Sequence, residues 1–361
     1  MNSQQLDDLN SCLNQLLRTI KEDTSEFPPS DLLDEIKQCL DFLANSPKIL
    51  AKQRAEYISL SWPADLRVVL NRLLRTFNIP EEYVKLCFEL SNCAAQSLGA
   101  DWLKSSDKQF LRLLASLSSG RLRILLDKPE EIDMAQLIAC LQLQEYFCGC
   151  VEDEQIWMSD DEQVNKGCTR ARPIGAGATF VSKCCQEAAA FVCSYTAACA
   201  HQLSDITSRM DLFFVLYRFI CAFLSIGGHE IIDVKLLTDA LPILTDVCGY
   251  CLNQGGASMA WFLLGNLPVF ADPLNEALLG LIMKYAEIVH HKSDSLSDKI
   301  MTAQQISDLV EGLVDRKGWY TEQALADLDQ LAKNSHETNG GHLNDLVSRL
   351  RANVKETDQK A

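Results

Sequence analysis

The sequence predicts an all-α protein built as an α-solenoid of stacked helical pairs or triplets. Three observations predict it. Apolar residues recur at three-to-four spacing almost everywhere, the signature of one buried face on a helix. The 361 residues hold only 17 Gly and 10 Pro, few for a chain of short strands and tight turns. No segment alternates apolar and polar residues as a half-buried strand does. Many of the helical patterns are apolar on more than one face, whereas a four-helix bundle buries one stripe per helix, so stacked repeats are the economical arrangement.

The elements follow in order. The periodicity places helices near 4–22, 31–45, 47–59, 63–77, 80–98, 106–118, 131–150, 179–203, 207–226, 231–253, 257–270, 273–291, 303–316, 320–334 and 341–354. In the fourth, Leu66, Val69, Leu70, Leu73, Leu74 and Phe77 fall on one stripe, with Ser61 as the expected cap and Pro63 in the first turn. The fifth opens after Asn78 with Pro80 and Glu81 in its first turn, and carries Val84, Leu86, Cys87 and Leu90 as its apolar positions. A similar opening follows Asp272, where Pro273 leads to Leu274, Leu278, Ile282 and Tyr285.

Three interruptions divide the chain. Phe27-Pro28-Pro29 reads as an early linker, Val151 to Thr179 lacks periodicity, and Ser335 to Gly341 leads to a polar last helix. The expected organisation is an N-terminal helix (1–26), N-terminal repeats (30–150), an acidic irregular loop (151–178), C-terminal repeats (179–334), and a polar helix and tail (335–361).

Charge narrows the partner class. With 33 Lys and Arg against 49 Asp and Glu, the net charge is -16, and the basic residues are scattered rather than run together. Such a chain repels phosphate backbones, so direct nucleic-acid binding is not expected. A partner carrying a basic or amphipathic segment suits it better. The first residues, MNSQQLDDLNSCLNQLL, offer no basic n-region followed by an apolar core, and predict a cytoplasmic or nuclear protein. The most apolar run, Leu212 to Ile226, has 15 residues and contains Arg218, too short for the roughly 20 that a bilayer span needs. No membrane span is predicted.

The 15 Cys read as free thiols, because the chain is long and shows no export signal. Cys184, Cys193, Cys199, Cys221 and Cys248 sit inside apolar helical patterns, where a thiol serves as a small hydrophobe. Cys248 and Cys251 form a C-x-x-C, but no second pair completes a tetrahedral zinc site, and the βαβ setting of a redox motif is missing. No metal or cofactor is expected.

Catalytic motifs are equally sparse. Gly175-Ala176-Gly177 precedes a helix, yet Phe180 replaces the third glycine of a dinucleotide fingerprint and no strand leads into it. His290 and His291 are adjacent, about 100° apart on a helix, and so cannot chelate as an i, i+4 pair does. No catalytic residues are assigned, and the chain is read as a non-enzyme. The acidic run Glu152, Asp153, Glu154, Asp160, Asp161 and Glu162 surrounds Ile156, Trp157 and Met158, so Trp157 is a candidate anchor with Glu154, Asp160 and Asp161 as its charged rim. Ser159, followed by three carboxylates, fits an acidophilic kinase site.

At Leu263 to Leu279 the sequence LLGNLPVFADPLNEALL resembles the last helix of an armadillo repeat, with Leu264, Asn266 and Leu267 in the first part and Asn275, Leu278 and Leu279 in the second. A weaker echo is ELSNCAAQSLGADWL, with Leu90, Asn92 and Cys93 in matching places. The resemblance is to irregular armadillo or HEAT-like proteins. It implies a concave helical surface on which Asn266 contacts an extended peptide, and by extension Asn92. Trp261 and Phe270 flank that segment as further candidates.

The expected function is a non-enzymatic adaptor, scaffold or assembly factor that binds a protein partner on an acidic helical surface. The alternatives are a regulator or exchange factor of a small GTPase, and a helical enzyme using residues 151–180 as an active-site lid.

Overall fold

The computed structural model describes residues 3–21, 32–45, 53–105, 108–128, 132–152, 176–202, 206–266, 280–285 and 288, with short stretches at 305, 308–309, 311, 325–326, 329–330, 333, 345, 347–349 and 351–352. Among the described residues there is no strand. In chain order the helices are α1 (Ser3–Lys21), α2 (Leu32–Ala44), α3 (Arg54–Ile58), α4 (Ser61–Arg75), α5 (Glu81–Leu98), α6 (Ala100–Lys104), α7 (Lys108–Asp127), α8 (Met134–Glu152), α9 (Ala176–Gln202), α10 (Met210–Ser225), α11 (Val234–Asn253) and α12 (Ala257–Leu264). Single 3-10 turns occur at Thr207–Arg209 and Gly228–Glu230. The chain is all-α, as the apolar spacing predicts, and none of its described helices is long and apolar enough to cross a membrane. The helices expected near 273–291, 303–316, 320–334 and 341–354 lie largely outside the described residues.

Several helix ends differ from expectation for identifiable reasons. The residue flanking the start of α4 is Leu60, extended at ψ 164°, so Ser61 is the first helical residue and caps nothing. Asn78 likewise does not open α5: it sits in the left-handed region at φ 58°, a conformation Asn tolerates, and turns the α4–α5 hairpin. Pro80 then flanks the helix at φ -58° and ψ 147°, and its carbonyl accepts from the Tyr83 N–H at 3.0 Å. Glu81 and Glu82 occupy the first turn, where carboxylates suit the positive end of the helix dipole.

Gly99 ends α5 and starts α6, a five-residue helix too short to show a period in the sequence. Its φ of 77° is open to glycine, and a Cβ there would meet the Arg54 guanidinium at 2.8 Å. α7 continues nine residues past the expected end at 118, and Ser118 and Ser119 within it are buried. The Ser118 hydroxyl donates to the Ala115 carbonyl at 3.1 Å, and Leu122, Leu125 and Leu126 carry the apolar face onward.

The chain forms two compact units, Met1–Val192 and Cys193–Ala361, divided within α9. In the first unit packing recurs every three elements: α1 lies on α4 and α4 on α7, α2 lies on α5 and α5 on α8, and α3 touches α6. Side-chain bonds give the directions. Cys12 meets Cys39 while Gln15 bonds Glu35, so α1 and α2 are antiparallel. Gln144 donates to Ser118 and Arg121 to Gln136, so α7 and α8 are antiparallel too. α5 and α8 run parallel, since Lys85 meets Asp133 and Asn92 meets Gln142. So do α7 and α9: Arg112 lies over the Phe180 ring at 4.7 Å and Arg123 over Phe191 at 5.4 Å, with an eleven-residue step on both helices.

Trp62 and Trp102 anchor this unit, both fully buried. The Trp102 indole N–H donates to the Pro63 carbonyl at 3.1 Å, and its ring meets Phe110 edge-on at 6.2 Å. The ring thus ties α6 to α4 and α7.

In the second unit α10, α11 and α12 pack on one another. Asp233 caps α11 by accepting from the Lys235 N–H at 2.9 Å. The Tyr217 hydroxyl donates to the Met259 carbonyl at 2.9 Å and joins α10 to the start of α12. Gly228 follows α10, and a Cβ at this position would collide with the Phe223 carbonyl.

Replacing Trp102 with Ala removes the ring that connects three helices. The expected loss is about 3–5 kcal/mol, read as a fall in the urea midpoint of the far-ultraviolet circular dichroism transition. A loss under about 1 kcal/mol would show that the ring is not a packing anchor.

Candidate partner-binding surface

α5 packs against α2, α4 and α8, and its apolar face, from Tyr83 to Leu98, is buried. Its remaining edge is polar. Lys85, Glu89, Asn92 and Gln96 follow at i, i+4, i+7 and i+11, a spacing that lines them along one side of the helix. α8 runs parallel beside this edge and adds Gln142, and Asp133 precedes its first turn.

The groups form two sets, Lys85 with Asp133 and Glu89, and Gln142 with Asn92 and Gln96. The Lys85 ammonium donates to Asp133 Oδ2 at 2.6 Å and lies 4.0 Å from Glu89 Oε1. Asp133 Oδ1 also accepts from the Gln136 N–H at 3.2 Å, capping α8. Farther along, Gln142 Oε1 accepts from both Asn92 Nδ2 at 2.7 Å and Gln96 Nε2 at 2.6 Å.

Two acceptors along this edge lack a hydrogen-bond donor. Asn92 Oδ1 and Glu89 Oε1 are buried and make no hydrogen bond. Asn92 is only 6 % exposed and the Glu89 side chain 18 %. A buried polar atom left unpaired costs about 1–3 kcal/mol, so these two oxygens are the unmet hydrogen-bonding capacity of the edge.

The electrostatics agree. Burial pushes Glu89 above the usual carboxylate range, against the pull of Lys85. Burial also acts to raise Asp133, but the Lys85 hydrogen bond and the N–H groups of Gln136 and Ala135 outweigh it and hold that carboxyl below its ordinary value. The Cys93 thiol, half-buried beside Glu89, is pushed up by burial and by that carboxylate.

The structure separates the residues proposed from sequence. Asn92 belongs to this edge in the first unit. Trp261 and Asn266 belong to the second unit, where the Trp261 ring, half-buried, stacks on Tyr285 at 5.2 Å and the Tyr285 hydroxyl donates to Gln305 at 3.2 Å. Asn266 Nδ2 donates to the Phe262 carbonyl at 2.8 Å, one turn back at the end of α12. Glu154, Trp157, Ser159, Asp160, Asp161 and Phe270 lie outside the described residues, as do His290 and His291.

Lys85, Glu89, Gln96, Asp133 and Gln142 were not singled out by sequence reasoning. Their signal was present as a polar stripe on an otherwise apolar helix, but Gln142 joins it only through the α5–α8 packing.

No group of three or more His, Cys, Asp or Glu side chains able to hold a metal occurs among the described residues. Cys248 and Cys251 lie buried on α11, and burial pushes the Cys248 thiol up to about 12 and Cys251 upward as well. At neutral pH both are protonated thiols, a poor state for metal binding.

Comparison with models of known protein families and with characterised proteins finds no match.

Replacing Lys85 with Met should raise the pKa of both Glu89 and Asp133, followed by carboxyl NMR titration. Asp133 supplies stability that is present above its unfolded value near 3.8 and is lost as pH falls through its lowered folded value. The stability difference between wild type and variant, about 0.2–1 kcal/mol for so exposed a pair, should therefore appear at neutral pH and shrink on strong acidification. A difference constant down to pH 2 would remove the ion pair as its cause.

Proposed function

We propose that the chain is a non-enzymatic adaptor or assembly factor, an α-solenoid that binds a donor-rich, basic segment of a protein partner along the α5–α8 edge. The observation carrying this reading is the surplus of acceptors there: Asn92 Oδ1 and Glu89 Oε1 are buried beside solvent-open polar side chains and receive no donor. Lysine and arginine side chains supply donors only, and they complement a chain of net charge -16.

The solenoid reading draws on the three-element recurrence within the first unit and on the parallel course of α5 and α8, which stand three elements apart. Equivalent helices of successive repeats run parallel, while neighbours within a repeat run antiparallel. In such a stack one helix of each repeat contributes to a shared surface, and α2, α5 and α8 occupy equivalent places.

The test uses a fluorescently labelled amphipathic Lys/Leu peptide titrated with the full chain and read by anisotropy. Binding should weaken as salt is raised through the Debye range. Glu89→Gln, which keeps shape and folding but removes the charge, should weaken it about tenfold, in line with about 1.5 kcal/mol for a hydrogen bond to a charged group. Affinity should also fall on mild acidification, at a higher pH than an ordinary glutamate would give, because protonation of Glu89 removes the same charge. Binding indifferent to salt and to this substitution would overturn the assignment of the edge.

A further inference from the structure

We propose that Cys12 and Cys39 form a peroxide-oxidisable pair, a modification site at which a disulfide closes between α1 and α2. The two sulfurs face each other across the antiparallel helices at 2.8 Å. A disulfide bond measures about 2.05 Å, so closure needs less than about 1 Å of sulfur movement.

The two thiols are not equivalent. Cys39 is fully buried, whereas Cys12 keeps 7 % of its surface open. Cys12 Sγ also lies 3.5 Å from the Glu35 carbonyl and 3.9 Å from Gln38 Oε1 on α2. The two thiols share a hydrogen bond in which either sulfur can donate; it draws the Cys12 pKa down against burial and the Glu35 carboxylate, and together with burial it pushes Cys39 up. Other buried thiols shift the opposite way: burial raises Cys87 and Cys193 to about 12 and Cys184 to about 11. The sulfur that keeps some open surface is thus also the one whose pKa is drawn down, and the Cys39 sulfur lies beside it as the second thiol of the pair.

With hydrogen peroxide the chemistry balances. The Cys12 thiolate attacks one peroxide oxygen and the O–O bond breaks. Cys12 becomes a sulfenic acid, and the departing hydroxide takes up the thiol proton as water. The Cys39 sulfur then attacks the Cys12 sulfur, the S–O bond breaks, and the hydroxyl leaves with the Cys39 proton as a second water. Two thiols lose two electrons to one peroxide and form one S–S bond.

Two internal controls are available. Cys93 is half-buried and has no sulfur partner among the bonds described, while Cys148 and Cys185 share a hydrogen bond but are both essentially inaccessible. Close approach without access and access without a partner are thereby separated from the combination that Cys12 and Cys39 present.

The full chain is treated with graded peroxide, its remaining thiols are blocked with N-ethylmaleimide, and a non-reduced tryptic digest is analysed by mass spectrometry. Cleavage places Cys12 in the peptide 1–18 and Cys39 in 38–48, each with a single cysteine. The linked pair should accumulate at about one-tenth of the peroxide dose that oxidises Cys93 and vanish on reduction. In Cys39→Ser the Cys12 sulfenic acid should persist and be trapped by dimedone.

Should that variant fail to fold, the wild-type chain still decides: Cys12 and Cys39 should lose their alkylation in equal proportion. Oxidation of Cys93 without the linked peptide, or protection of one member of the pair without the other, would overturn the proposal.

Discussion

The enclosure of α5 is the constraint on which the first unit depends. α2, α4 and α8 cover it on three sides, and Leu86, Cys87, Phe88, Leu90, Ala94, Ala95 and Leu98 are buried as a result. At about 25 cal/mol per Å² of apolar surface removed from water, such burial supplies the main stabilising force of the layer. A helix covered in this way has one edge left for polar groups. The stripe of Lys85, Glu89, Asn92 and Gln96 occupies that edge, and the parallel course of α8 brings Asp133 to Lys85 at one end and Gln142 to Asn92 and Gln96 at the other.

Close helix packing also explains the use of cysteine. A thiol occupies little volume and tolerates an apolar setting, so it suits positions where helices approach closely. All the described cysteines but Cys93 are buried, and none is in a disulfide. Burial raises most of them above the ordinary thiol range, which makes them inert filler. Cys12 departs from the group because it has another thiol beside it and keeps 7 % of its surface open, a combination that Cys148 and Cys185 lack.

The arginines of α7 show the same dependence on packing. In a chain with so large an acidic excess, Arg112 and Arg123 look like solvated surface charges. Their guanidinium planes instead cover Phe180 and Phe191 of α9, burying the flat faces while leaving the charge wet. Arg121 similarly bridges Glu81 of α5 and Gln136 of α8. Polar side chains thus fix the register between helices whose apolar faces alone would permit sliding.

Helix class and approximate extent were legible in the residues, because amphipathic spacing is a local property of the chain. The stripe of Leu66, Val69, Leu70, Leu73, Leu74 and Phe77 predicts the buried face of α4: the first four are buried, Leu74 is half-buried, and Phe77 lies past the end of the helix, 88 % exposed. Ends were less legible: Ser61 and Asn78 have the chemistry of caps, but the backbone places an extended Leu60 and a left-handed Asn78 at those ends. α6 was hidden by its brevity, and α7 runs past its expected end through Ser118 and Ser119, buried where the Gln144 amide donates to the Ser118 hydroxyl. The candidate edge was half legible. Asn92 was marked by its resemblance to a repeat position, whereas Gln142 and Asp133 lie some fifty residues away in sequence and reach α5 only through helix packing. By itself, then, the sequence determined the helical class, the acidic balance and the free thiols, all of which follow from local spacing and composition. The tertiary structure decided which polar groups meet and which acceptors stay unpaired, because these depend on how one helix lies against another.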